Sequence, residues 1–171
     1  LNQTGVYSLG VQLTTAVASV SSSFLTVYQP ALQSAFAVRD VKSQRKYLSL
    51  IVFSFSIYFP LLMCILSTIG IQILKIIKPS FEINIPILLG IGLYQFIIYF
   101  RNCYCSYIST TNRIIYYKSY IISSILSIIL SFAISEVFRI GVWGFIVAQL
   151  MSQLIFNAWY WPLLAHKELN L

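Results

Sequence analysis

The sequence predicts an all-α fold, a polytopic transmembrane bundle of five spanning helices, and three observations predict it. Hydrophobic residues fill 58% of the 171 positions and charged residues only 9%, with a mean hydropathy of +0.83. A water-soluble domain covers its surface with about 25% charged residues, and this chain has too few to do so. The apolar residues also fall into five runs near the ~20 residues that a helix needs to cross the hydrocarbon. Finally, most Lys and Arg residues lie between the runs, and unevenly so. Helices suit lipid because they satisfy their own backbone polar groups. The net charge of +7 does not call for nucleic acid, since basic residues in such a chain mark cytoplasmic loops.

The chain opens "LNQTGVYSLG", without an initiator Met, a basic n-region or a small-residue cleavage site, and reads as the start of a fragment. The first span is expected over about 5–28 and carries "TTAVASVSSSFLTVY". Small hydroxyl residues let helices approach closely, so this helix is expected to pack inside the bundle. Pro30 and "RDVKSQRK" follow, a predicted loop with a short basic amphipathic stretch. The second span covers about 47–74, and Pro60 near its middle is expected to kink it by removing a backbone hydrogen bond. The third starts at Pro86, a favourable first-turn residue, and runs over about 86–109. Its "GIG" at 90–92 lacks the strand and third glycine of a dinucleotide loop and reads as close helix packing. The fourth, "YIISSILSIILSFAI", covers about 120–135 and is the shortest. The fifth, about 142–164, ends in "WYWP", an aromatic cluster that suits a membrane–water interface.

Charge sets the expected orientation. One group of loops holds Arg39, Lys42, Arg45, Lys46, Arg113, Lys118 and Lys167. The other holds Lys75, Lys78 and Arg139, with Glu82 and Glu136 beside them. Seven against three places the first group, and with it the C-terminus, in the cytoplasm.

Little in the sequence speaks for chemistry. Cys64, Cys103 and Cys105 form no paired framework, and "CYC" has no nearby His or acidic partner, because His166 lies near the other end. Thiols packed among helices, with no metal or cofactor, are expected. No acid–base pair, activated nucleophile or phosphate loop is visible, so no enzymatic activity is expected. No Asp or Glu lies well inside a span, which excludes a proton relay built on a buried carboxylate in this part.

The exception is Arg101, in "IIYFRNCYCSYISTTNRIIYYK". It precedes Thr110 by nine residues, hence by roughly 14 Å of helix. An Arg at a helix centre costs about 2.5–3.5 kcal/mol on insertion scales unless it meets water or a partner. Two readings stand at this point. Arg101 snorkels to the head groups along its long stem, or it faces a water-filled cavity and meets an anionic substrate with Tyr94, Gln95 and Asn102. Positions 94, 98, 101 and 105 share one helix face, and 95, 99 and 102 another. Gln12 in the first span adds a further polar group. Gln149, Gln153 and Asn157 form a stripe at four-residue spacing in the fifth, suited equally to interhelical hydrogen bonds and to substrate contact.

These segments resemble a family. "TGVYSLGVQLTTAVASVSSSFLTVYQPAL" with its basic loop resembles the eighth helix of Wzx-type polysaccharide (O-antigen) flippases. Those proteins belong to the multidrug/oligosaccharidyl-lipid/polysaccharide exporter superfamily. "ISTTNRIIYYKSYIISSILSIIL" looks like its tenth-to-eleventh loop and helix, and "GVWGFIVAQLMSQLI" like the entry to its twelfth. The resemblance implies most of the C-terminal lobe of a twelve-helix, MATE-like, two-lobe transporter, without the N-terminal lobe and this lobe's first helix. It further implies an undecaprenyl-pyrophosphate-linked oligosaccharide as cargo, carried across the bacterial inner membrane by alternating access. Partners implied are the lipid bilayer, a polysaccharide polymerase and a chain-length regulator. Arg101 would meet pyrophosphate or acidic sugars, and Gln95 and Asn102 sugar hydroxyls. Two other classes stay open: a cation-coupled multidrug exporter of the same superfamily, and a membrane-bound polymerase or acyltransferase. The short loops and the lack of paired charged residues weigh against the last.

Overall fold

A computed structural model of the chain describes residues 2–77, 84–138 and 140–169, with the side chains of 2–4 and 136–138 left aside. Lys78, Glu82 and Arg139, on which the orientation partly rests, lie outside the described residues, as does the Glu136 side chain. All regular structure described is helical. Five helical runs are long and apolar enough to cross a membrane: Gly5–Ala37, Val41–Ile77, Ile85–Thr110, Tyr116–Ser135 and Val142–Leu169. This is consistent with a multi-pass membrane protein.

The first run is longer than expected. It comprises α1 (Asn2–Ser21) and α2 (Ser23–Ala37), which meet at Ser22. Pro30 lies inside α2 and does not end it, because a proline deletes only its own N–H bond while its neighbours keep theirs. The reversal comes at Arg39, whose φ of 57° is left-handed, and Asp40 then caps α3 (Val41–Ile65). Its carboxylate accepts from the Ser43 amide at 3.2 Å and from the Ser43 hydroxyl at 2.5 Å. The expected basic loop is therefore mostly helix: Lys42, Arg45 and Lys46 occupy the first turns of α3, nucleated by that cap.

In the second run the α-helix continues through Pro60 to Ile65. The departure from α geometry falls later, in a π-helical turn over Leu66–Gly70, before α4 (Ile71–Ile77). There the Thr68 hydroxyl donates to the Cys64 carbonyl at 2.7 Å, the kind of insertion into the backbone ladder that accompanies such turns.

The third run, α5 (Ile85–Thr110), carries Pro86 in its first turn and is the axis of the bundle, packing on α1, α2, α3, α7 and α8. Three glycines let neighbours come close. A Cβ on Gly10 of α1 would stand 2.8 Å from Ile91 Cδ1. One on Gly90 would meet Trp143 Cζ3 of α7 at 3.0 Å, and one on Gly92 the Met63 Cε of α3 at 2.5 Å. "GIG" thus serves helix contacts on two sides. Along α1, Gly10, Thr14, Ala18 and Ser21 are all buried, as its small residues predicted. The Thr14 and Ser21 hydroxyls donate to Gly10 and Val17 carbonyls of their own helix at 2.8 Å.

The fourth run, α6 (Tyr116–Phe138), is an edge helix that packs mainly on α7 and turns Ile122, Ile125, Ile129 and Phe132 outward. The fifth divides into α7 (Val142–Leu154) and α8 (Asn157–Leu169), parted at Ile155 and Phe156. It extends five residues past the expected end, with Pro162 inside α8. Gly141, at φ 57°, supplies the left-handed residue ahead of α7, where glycine carries no Cβ penalty. At the opposite end of the bundle Arg113 pairs with Glu168 at 2.7 Å.

Outward faces are not alike. Those of α3 and α6 are rich in Ile, Leu and Phe, whereas the first run exposes Ser8, Gln12, Ala16, Ser19, Ser23 and Thr26 at helical spacing.

Candidate functional site

Arg101 sits on the inner side of α5 and is 5% exposed. Neighbouring helices close over its side chain, and its guanidinium hydrogen-bonds within the bundle. Its Nη1 donates to Gln153 Oε1 of α7 at 2.5 Å. Nη2 and Nε donate to Asn102 Oδ1 at 3.1 and 3.3 Å. The guanidinium carbon lies 3.9 Å from the centre of the Tyr120 ring of α6, a cation–π distance.

The network continues in two directions. The Tyr120 hydroxyl lies 3.0 Å from Asn102 Oδ1 and 3.1 Å from Cys105 Sγ. On the other side Asn157, fully buried at the start of α8, donates through Nδ2 to Ser123 Oγ of α6 at 2.5 Å and to Gln153 Oε1 at 3.3 Å. Trp161 Nε1 donates to Asn157 Oδ1 at 3.0 Å. One polar cluster thereby ties the third, fourth and fifth runs together, beside the break at Ile155–Phe156. Helical geometry nearly persists through the break, with the Ile155 amide still donating to the Met151 carbonyl at 3.1 Å, so Gln153 and Asn157, four residues apart, share a face and bond each other.

Electrostatically the centre is unusual. Among the described residues every partner of Arg101 is neutral, and the one ion pair joins Arg113 to Glu168. Amide and aromatic acceptors spread the positive charge without cancelling it, in surroundings where desolvation is expensive.

Of the residues singled out in the sequence, Arg101, Asn102, Gln153 and Asn157 converge. Gln95 does not join them: buried on α5, it donates to Thr15 Oγ1 of α1 at 3.1 Å. Tyr94 packs in a separate apolar cluster with Ile91 and Ile146. Gln149 is half-buried one turn before Gln153, and Gln12 is exposed on α1, away from the cluster. Tyr120, Ser123 and Trp161 were missed. Tyr120 and Ser123 look like interfacial and helix-packing residues in the sequence, and only their approach to α5 and α8 reveals them. Cys103 and Cys105 are buried free thiols, as expected of thiols packed among helices, while Cys64 is exposed.

No family model, curated protein or solved structure matches the chain.

Proposed function

We propose that the chain is part of a lipid-linked oligosaccharide flippase of the bacterial inner membrane, moving an undecaprenyl-pyrophosphate-linked repeat unit by alternating access within a twelve-helix, two-lobe transporter. The observation that carries this reading is the buried Arg101 guanidinium held by uncharged partners only. A cation without a counter-ion inside an apolar bundle stabilises a passing anion. Arg presents the planar fork that phosphate and carboxylate accept in bidentate fashion. Exchange of Asn102 and Gln153 for cargo oxygens trades neutral hydrogen bonds for charge-assisted ones, and the amides take the guanidinium back on release. The resemblance in "TGVYSLGVQLTTAVASV" and "GVWGFIVAQLMSQLI" points the same way. In this reading Arg101 meets the acidic head, Asn102 and Gln153 hold it between cycles, and no covalent chemistry is assigned.

The test is complementation with the full-length gene in a strain lacking its polysaccharide flippase. Wild type restores the surface polysaccharide ladder, and Arg101→Ala abolishes it at equal membrane abundance. A ladder unchanged by Arg101→Ala removes Arg101 from cargo contact. Failure of wild type together with raised drug resistance replaces the flippase by an exporter.

A further inference from the structure

Beyond that reading and independent of it, the basic end of the bundle holds a cleft that nothing above uses. It has a volume of about 410 Å³ and opens between the α2–α3 turn, the end of α5 and the end of α8. Phe36 forms an exposed apolar wall, Gln44, Tyr107 and Leu169 lie deep, and Arg39 and Glu168 stand at the rim. The polar groups are not equally free. Gln44 Nε2 donates to the Ala35 carbonyl at 3.3 Å, and Glu168 is occupied by Arg113. Arg39 is exposed, and the left-handed backbone at this one residue places it at the cleft instead of in the helix on either side.

Charge decides what fits. Arg39, Lys42, Arg45, Lys46, Arg113, Lys118 and Lys167 gather at this end against two carboxylates, Asp40 and Glu168. Asp40 is engaged by Ser43 and Glu168 by Arg113. The excess is five positive charges around a cleft with apolar walls, at the level where candidate spans end. A ligand that is anionic at one end and apolar at the other matches both features, and basic pockets at helix ends take such head groups. We propose that this cleft binds the phosphate-bearing head group of an anionic phospholipid, with Arg39 on the phosphate and the exposed Phe36 against the first methylenes of the acyl chains.

The experiment titrates phosphatidylglycerol, with phosphatidylcholine as the neutral reference, onto the full chain in detergent and counts bound lipid by native mass spectrometry. Arg39→Gly is the informative variant, because glycine keeps the left-handed backbone and removes only the side chain. Phosphatidylglycerol is expected to bind in preference to phosphatidylcholine, and Arg39→Gly to weaken it about fivefold, the value of one basic side chain near a charged surface. Arg39→Lys should keep most of the affinity. Lys118→Gln, an equal charge change outside the cleft, should cost clearly less. Equal losses for Arg39→Gly and Lys118→Gln would mean diffuse attraction and overturn the site. So would equal binding of the two lipids. Displacement by soluble glycerol phosphate at comparable concentration would overturn the lipid in favour of a free phosphate ligand.

Discussion

Arg101 and Gln153, 52 positions apart in the chain, meet at 2.5 Å between guanidinium Nη1 and amide Oε1 in the interior of the bundle. The contact explains how an apolar bundle keeps a guanidinium: it supplies acceptors from a facing helix in place of water.

Gln153→Leu leaves Nη1 without that acceptor while the charge stays buried. The expected loss is about 1–3 kcal/mol, the usual cost of an unsatisfied buried group, read by thermal or denaturant unfolding in detergent micelles. Arg101→Leu combined with Gln153→Leu should be more stable than Gln153→Leu alone, since the double variant strands no charge. Simple addition of the two single losses would show that the pair is not coupled.

Close approach at Gly10 makes a second prediction. Ile91, which a Cβ there would meet at 2.8 Å, is fully buried and has little room to yield. Gly10→Leu should cost about 1–3 kcal/mol by overpacking. Gly5→Ala, with nothing within 4 Å of the added methyl, should be neutral or stabilise α1 by up to about 1 kcal/mol. Comparison of the two unfolding midpoints checks both.

Asp40 gives a pH signature. The Ser43 hydroxyl and then the Ser43 amide hold its carboxyl below the usual carboxylate value of 3.8. A lowered folded-state pKa means that the cap is present at neutral pH, begins to weaken as pH falls toward 3.8, and is lost below it. The protection of the Ser43 amide against hydrogen exchange, taken relative to the intrinsic rate at each pH, should fall over that window. Asp40→Ala should show the lower protection already at neutral pH.

The Arg113–Glu168 pair should matter far less. Both side chains are partly exposed, 47% and 23%, and pairs of this kind contribute about 0–1 kcal/mol. Glu168→Gln should leave unfolding within that range, with the small difference shrinking as salt is added.

What the sequence disclosed, and what it withheld, follow from the range of the forces involved. The five runs were legible because their length and apolarity are local properties, and so was the packing role of Gly90 and Gly92. The ends were not: α2 persists past Pro30, and Asp40 turns a basic stretch into helix, both by hydrogen bonds of single groups. Arg101 was conspicuous by its surroundings, and Gln153 and Asn157 by their spacing. Tyr120 and Ser123 stayed hidden because their importance depends on α6 meeting Arg101 and Asn102 of α5 and Asn157 of α8, contacts between different helices. Gln95 and Tyr94 looked equivalent to Asn102 by position, yet Gln95 bonds Thr15 of α1 and Tyr94 packs with Ile91 and Ile146, away from the cluster.

The hydroxyl-lined outer face of the first run bears on how the chain enters the bilayer during synthesis. This run is the least apolar of the five and the second the most. Ser23 and Thr26 soften the difference by donating to carbonyls of their own run, at 2.8 and 2.6 Å, so that fewer free donors face the oil. Gln12 has no such refuge. In a bilayer the two runs joined at Arg39 would partition as a pair, the strongly apolar second offsetting its less apolar predecessor.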